Sequence, residues 1–475
     1  MSGNSKTFPK KQTEARHPDA NPRADIHEVS PWTVLRNRKR ILKNPLPFHN
    51  ENFSRHGDTF AIQIMPKTRV VFTRDPYIVR HVLQKNHRNY AKSELQTRDL
   101  AKYIGQGILT SEGEFWRRHR KMIQPAFHRE KLQQLLGLMF NTIRRELSGI
   151  PVNRTLDIFP LMSDLAFQVV AQSLFSAGDL RKDMNRLQEI TEANQQMLIR
   201  EMRQPYFKWW FRVTGRIGRH LKLSREARGL LDRLIEMRVK SGRREGDLLD
   251  MLLEARYEDG SPMSRRQLID EVLILFTAGH ETTANALSFT LFLLARHPEI
   301  QQQAYESVKD LDPEESGMEE LIAGLGYIQQ CVEEAMRLYP PVYVIDRVSL
   351  AEEELKGHRF PAGTTWLLSL YELHRHHDLW ESPESFRPAR FHPDRKKEYS
   401  PFYFPFGAGP RMCIGNNFAM YEMLLTVGWI LQKYRILTPM ESLTLNPLIS
   451  LKPGKVLLRF ASRNSGGSQS QESSQ

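Results

Sequence analysis

Between Ser264 and Pro298 the chain runs without a proline and with one glycine, and from Leu268 onward it is apolar on nearly every side. Ser264 followed by Gln267 forms a capping-box pattern that opens a helix, and Pro298 closes it. At ~1.5 Å per residue that helix is roughly 50 Å long, enough to cross a whole domain. A helix this long and apolar all round has to be covered by other helices. The centre of the segment is polar: "AGHETT", residues 278–283, places His280, Glu281 and Thr282 at the middle of an otherwise apolar run. The stretch therefore reads as the buried axis of a helical protein with a polar task at its middle.

Helical periodicity dominates from about residue 114 to 340. "GDTFAIQIMPKTRVVFTRDP" alternates on either side of a Pro66–Thr68 turn and is a hairpin candidate, and short strands return in "HRFPAGTTWLLSLYELHR" and "LISLKPGKVLLRF". The expected class is mainly α with small β-sheets at the ends. No linker or internal repeat divides the chain, so residues 28–461 are expected to form one unit. The polar segments 1–27 and 462–475 are expected to be disordered tails. With 475 residues and 40% hydrophobic content, a large core is possible. Cys331 and Cys413 are the only cysteines, too few for a disulfide framework, which suits a reducing compartment. Neither a signal peptide nor a transmembrane segment is expected, and the protein is expected to be cytoplasmic. The net charge of +13 comes from Lys and Arg interleaved with Asp and Glu, with no nucleic-acid-reading motif. An acidic protein partner explains that charge at least as well as nucleic acid.

Four constellations carry chemistry. In "AGHETT", Ala278 and Thr282 share a helix face, and small residues there let something bulky approach the backbone. Glu281 needs a partner, a proton or water. A kink from Thr282 bonding back to a carbonyl explains the same residues equally well. In "VEEAMRLYPP", Glu334 and Arg337 pair at i,i+3, with Arg390 of "FRPARF" as a third member. The same spacing at Glu114–Arg117 and Glu384–Arg387 reads as solvated ion pairs. On "EFWRRHRKMIQPAF", Trp116 and Arg120 share one face, suited to an anionic group on an apolar ligand or to surface stacking, while Arg117, Arg118 and Lys121 point elsewhere. Finally, "FPFGAGPRMCIG" sets Cys413 in a loop of glycines and prolines, as a small core residue or as a metal-binding thiolate.

Phe406, Gly409, Arg411, Cys413 and Gly415 follow the spacing F-x-x-G-x-R-x-C-x-G. This resembles the heme-binding signature of the cytochromes P-450, the heme-thiolate monooxygenases. The "AGHETT" helix, Glu334-x-x-Arg337, the Arg390 segment and the Trp116–Arg120 helix occur in that family's order, over roughly residues 55 to 460. The resemblance implies a single-domain fold with a long helix over heme b (iron protoporphyrin IX). It implies Cys413 as the iron ligand, with Phe406 in its loop and with glycines 407, 409 and 415 shaped for the porphyrin. The helix after Cys413 would favour its thiolate. Trp116, Arg120, Arg347 and Arg411 would meet the propionates. Thr282 would hydrogen-bond O2, and Glu281 would relay protons. The implied reaction converts substrate-H, O2, two electrons and two protons to substrate-OH and water. Electrons would come from a ferredoxin or flavodoxin with its reductase, docking on Arg117, Arg118, Lys121, Arg395, Lys396 and Lys397. The substrate is an apolar small molecule (fatty acid, terpenoid, carotenoid or steroid), with a lean toward the fatty-acid-hydroxylase branch over the camphor-hydroxylase branch. Its pocket is expected around Ile104–Leu109, Phe276–Ala278, Val342–Ile345 and Leu448–Ile449. A peroxide-driven enzyme or a non-catalytic heme sensor are the alternatives. "PYFKWWFRVTGR", 205–216, flanks the substrate entrance, touches a membrane surface or packs in the core.

Overall fold

A computed structural model describes residues 26–65, 68–176, 181–204 and 207–463. The expected central helix is present as Arg265–Arg296, 32 residues long, with the Ser264 side chain accepting from Gln267 N at 3.3 Å. The reciprocal half of the capping box is replaced: Gln267 Nε2 lies 3.4 Å from His119 Nδ1 instead. Helices Ile158–Phe175, Gly326–Leu338, Asn416–Lys433 and Arg216–Ser241 pack around it. That cover is why nearly every residue of the central helix is buried outside its middle.

Ile158–Phe175 corrects one expectation. It is long and apolar enough, by length and composition, to cross a membrane, although 67% of it is buried. It is a core helix whose chief neighbour is the central one. Packed along each other, the two apolar helices cover most of each other's apolar surface.

Among the described residues, a six-stranded mixed sheet runs in the order Glu28–Val29, Thr59–Met65, Thr68–Thr73, Thr365–Ser369, Val344–Ser349, Tyr90–Ala91. Thr59–Met65 and Thr68–Thr73 form the expected antiparallel hairpin, with Phe60 opposite Phe72. Pro66 and Lys67 of its turn lie outside the described residues. Arg347 lies opposite Trp366 in this sheet. A three-stranded sheet joins Tyr434–Leu437, Leu457–Ser462 and Thr155–Asp157. Of the expected tails, 1–25 and 464–475 lie outside the described residues, whereas Ile26 is buried and Ser462 pairs with Tyr434.

Glu334 and Arg337 form a fully enclosed ion pair. Both side chains are 0% exposed, and the carboxylate meets Arg337 Nε at 2.7 Å and Nη2 at 2.8 Å. Arg390 Nε reaches Glu334 at 3.2 Å, and Arg387 N donates to it at 2.9 Å. Arg337 also donates to the carbonyls of His374, Pro383 and Ser385. Glu114–Arg117 is the expected exposed pair. Glu384–Arg387 is not formed: Glu384 pairs with Arg375 and Arg387 with Glu381. Those residues lie on turns rather than on a helix, so i,i+3 spacing does not put them on one face. Cys331 is fully buried beneath Glu334, and burial pushes its thiol pKa up.

Candidate active site

The Cys413 loop is held by backbone bonds. Cys413 N donates to Phe406 O at 2.9 Å, Gly407 N to Phe404 O at 3.0 Å and Met412 N to Gly409 O at 3.0 Å. The Phe406 side chain packs against the helical core. Gly407 and Gly409 take the left-handed region, with φ of 72° and 69°. The close approach at Gly409 is to protein: a Cβ there would lie 2.0 Å from Leu83 O. Gly415 has an ordinary φ of −89° and open space in front of it. The three glycines therefore do different jobs, and only two of them shape the turn. Solvent reaches the Cys413 side chain, yet crowding by protein atoms raises its thiol pKa, against the pull of the Gly415 N–H and the Arg120 charge. The helix Asn416–Lys433 does begin beside it, but for the protein alone lost hydration outweighs that help.

Around this loop the structure gathers cations. Arg411 stacks its guanidinium 3.6 Å from the Trp116 ring centroid, donates to Ser111 O at 3.0 Å and pairs with Glu112. Arg120 donates to Met412 O at 2.9 Å, which ties the Trp116 helix (Gly113–Ile123) to the residue before Cys413. Arg347 is buried and donates to Asp346 O at 2.7 Å; burial lowers its pKa. Lys92, which sequence reasoning missed, lies among them. Burial, followed by the charge of Arg411, pushes its pKa down to about 7. Arg411 is pushed down to about 10, chiefly by burial. A lone lysine in "NYAKSE" carries no sequence signal. Only the fold brings it beside residues some 300 positions later.

The second wall is the middle of the central helix. Leu275, Ala278, Gly279, Glu281 and Thr282 are the accessible residues of a segment otherwise buried. Thr282 Oγ1 donates to Ala278 O at 2.9 Å, so the back-bonding reading holds as geometry, within one unbroken helix. Glu281 accepts from Ser450 Oγ, which in turn accepts from Asn285 Nδ2 at 3.0 Å. No hydrogen bond or ion pair among the described residues joins Glu281 or Thr282 to the Cys413 cluster. Asp270 accepts from Gln106 N at 3.1 Å and Glu271 from Ile108 N at 2.5 Å, fastening the 104–109 loop to this helix. Gly105 and Gly107 are required there, because a Cβ at either would fall 2.1 Å from those carboxylates. Tyr343 Oη donates to Leu448 O at 3.0 Å, joining two more of the expected pocket segments.

Residues 28–460 match the family model of the cytochromes P450. The chain belongs to the cytochrome P450 family. Among curated proteins it is 32% identical over 428 residues to a cyclooctat-9-en-7-ol 5-monooxygenase of Streptomyces melanosporofaciens, covering 87% of this chain and 92% of that one. It is 29% identical over 415 residues to human cytochrome P450 4F3, covering 80% and 78%. The solved heme domain of cytochrome P450DA superposes with a TM-score of 0.81 at 24% identity, over 93% of this chain and 98% of that one. The fold is thus that of a P450 heme domain. The protein is a cytochrome P450 monooxygenase, an oxidoreductase with a heme-thiolate cofactor. The residues present fit that group. Cys413 is a free, accessible thiol, and Lys92, Arg120, Arg347 and Arg411 outweigh the nearby Glu112 and Asp346, as two propionates require.

Proposed function

We propose that this P450 hydroxylates an apolar terpenoid with electrons from a separate ferredoxin or flavodoxin and its reductase. The observation that carries the reading is the one accessible face of the central helix, with Glu281 and Thr282 set beside apolar Leu275 and Ala278. Ile108, Leu109, Val342, Val344, Ile345, Leu448 and Ile449 are none of them fully buried and none charged, and the bonds of Ile108 N to Glu271 and of Ser450 to Glu281 fasten two of their segments to this helix. Such walls hold a hydrocarbon by area and shape. The activity named for the Streptomyces relative, cyclooctat-9-en-7-ol 5-monooxygenase, supports a terpenoid over a fatty acid, whereas the loop and helix motifs by themselves lean toward fatty-acid hydroxylases.

Cys413 would bind the heme iron. Trp116, Lys92, Arg120, Arg347 and Arg411 would hold the propionates, and Phe406 would close the loop against the core. Heme held by a thiolate supplies reductive cleavage of dioxygen. Thr282 would donate its single hydroxyl proton to the oxygen by turning it away from Ala278 O, which holds it now. Glu281, linked to Ser450 and Asn285, would pass protons inward from the side of the Leu448–Ser450 loop. The reductant would dock near Arg117, Arg118 and Lys121, where exposed Met412 adjoins Cys413. Those cations now pair with Glu114, Asp259 and Glu258, exposed acids that a partner's carboxylates can replace.

The test is turnover of a diterpene alcohol and of a long-chain fatty acid with O2, a ferredoxin or flavodoxin and its reductase. Hydroxylated diterpene at the higher kcat/KM is expected. Preference for the fatty acid would overturn the substrate class, and turnover with peroxide alone would overturn the electron source. In Thr282→Ala, hydroxylation is expected to fall roughly 10²-fold, the lower end of what a positioned proton-transfer group contributes. Heme content and reductant consumption should persist, with the missing product appearing as hydrogen peroxide.

A further inference from the structure

Tyr257, His119 and Glu271 join the exposed cations of the helix Gly113–Ile123 to the pocket loop. The His119 and Glu271 side chains are both 0% exposed, with His119 Nε2 2.7 Å from Glu271 Oε1. The same Oε1 accepts from Ile108 N at 2.5 Å. A carboxylate only accepts, so Nε2 donates, and Nδ1 of the neutral ring takes the Tyr257 hydroxyl at 3.1 Å. We propose that this chain of bonds couples two sites: carboxylates of a partner seated on Arg118 and Lys121 loosen the pocket loop and weaken its hold on substrate. The partner's identity rests on the reductant docking proposed above, and the coupling itself does not.

The sequence sets both ends on one turn of helix. In "WRRHRK", residues 116–121, Arg118 and Lys121 reach solvent while His119 enters the core. Of that helix's buried residues, His119, Met122 and Ile123, only His119 is polar. Outside, Arg118 meets Asp259 at 3.1 Å and Lys121 meets Glu258. These two acids directly follow Tyr257, in a turn closed by its own bonds. Tyr257 N donates to Ser261 O at 2.9 Å, Gly260 N to Tyr257 O at 3.0 Å and Ser261 N to Asp259 Oδ1 at 2.9 Å. Arg118 also lies over the Tyr257 ring, 5.2 Å from its centroid. A turn tied in this way moves as a piece. Freeing its acids from the cations therefore draws Tyr257 Oη away from His119.

Coupling requires an element with two discrete arrangements, and this one has them. With the turn's own acids on the cations, His119 is held at both nitrogens and keeps Glu271 set against Ile108 N. With a partner's carboxylates there, Nδ1 keeps only Gln267 Nε2, at 3.4 Å. The imidazole then turns more freely, and the carboxylate it orients holds Ile108 less firmly. Gln106 N stays on Asp270 and Leu109 O on Lys92, so the loosening is local. By linkage, a substrate that closes the loop weakens the partner by the same factor.

The test uses the heme-loaded full chain without a reductase. Its readouts are amide hydrogen exchange at Ile108 and the spectral titration of the heme with a diterpene alcohol. Tyr257→Phe removes only the hydroxyl, and Glu258→Gln/Asp259→Asn frees the turn from the cations. Each is expected to speed Ile108 exchange and to weaken binding about fivefold, the lower end of typical coupling between sites. Combined, they are expected to do no more than either alone, because both cut the same chain. Heme content and the reduced carbonyl spectrum should not change. Additive losses would overturn the coupling, as would Tyr257→Phe with parental exchange and affinity. Should the alcohol not bind, exchange at Ile108 decides alone. Added ferredoxin or flavodoxin is expected to speed Ile108 exchange in the parent and not in Tyr257→Phe. Non-additive variants together with two inert partners would support the coupling and reject the docking face.

Discussion

Cys413→Ser is expected to abolish the red-shifted absorption of the reduced carbonyl complex and to take hydroxylation down to background. A serine oxygen cannot supply the electron donation of a thiolate. The substitution should leave the loop itself standing. Its anchor is the backbone bond from residue 413 to Phe406 O, and the turn depends on Gly407 and Gly409, none of which involves the sulfur. Circular dichroism and thermal unfolding should therefore be close to those of the parent, which separates a ligand effect from a folding effect. Cys331→Ser is the control. It places a hydroxyl in a fully buried position and should cost about 1–3 kcal/mol of stability unless it finds a partner, while the carbonyl spectrum stays unchanged. A Cys413→Ser protein that kept the spectrum would refute the ligand assignment.

Arg337→Ala is expected to be the most damaging change to the fold. It removes both forks from Glu334 and leaves the carbonyls of His374, Pro383 and Ser385 without their donor. Arg390 stays at 3.2 Å, a single contact that cannot replace a bidentate one. Breaking such a buried pair costs about 3–5 kcal/mol, against a typical folding free energy of ~5–15 kcal/mol. Arg337→Lys should rescue little, because an ammonium cannot span the carboxylate and carbonyls on opposite sides of a planar fork. Soluble yield and heme content per protein measure the effect. A soluble, fully heme-loaded Arg337→Ala would show that the pair does not hold this side of the core.

The central helix and the Cys413 loop were legible because their determinants are local. A cap, a stop and an uninterrupted apolar run define Arg265–Arg296, and one ten-residue spacing carries the cysteine. Glu334–Arg337 was readable for the same reason, since both residues lie on one helix. Glu384–Arg387, identical in spacing, misled because its backbone turns. What the sequence hid are contacts made across the chain: Lys92 beside Arg411, Glu112 with Arg411, and Asp270 and Glu271 holding the amides of Gln106 and Ile108. Gly105 and Gly107 lie inside the expected Ile104–Leu109 pocket segment, and nothing local marks them. Their need for a missing side chain comes from acids more than 150 residues away. The accessible stripe on the central helix was foreseen at Ala278 to Thr282, but Phe276 and Thr277, expected in the pocket, are buried, Phe276 stacking on Phe167 and Phe175, because exposure depends on which neighbours fail to cover a residue.

Arg411 meets Ser111 and Glu112 across sequence separations of 300 and 299 residues. Closing so long a loop is entropically costly and kinetically late, whereas helices such as Arg265–Arg296 form from near neighbours. During synthesis, the Trp116 segment and the central helix must therefore wait, with their future cofactor face uncovered, until the last seventh of the chain has been made. The heme is expected to be captured as the final event of maturation. A ribosome stalled just before residue 413 should carry a largely helical chain that retains no heme.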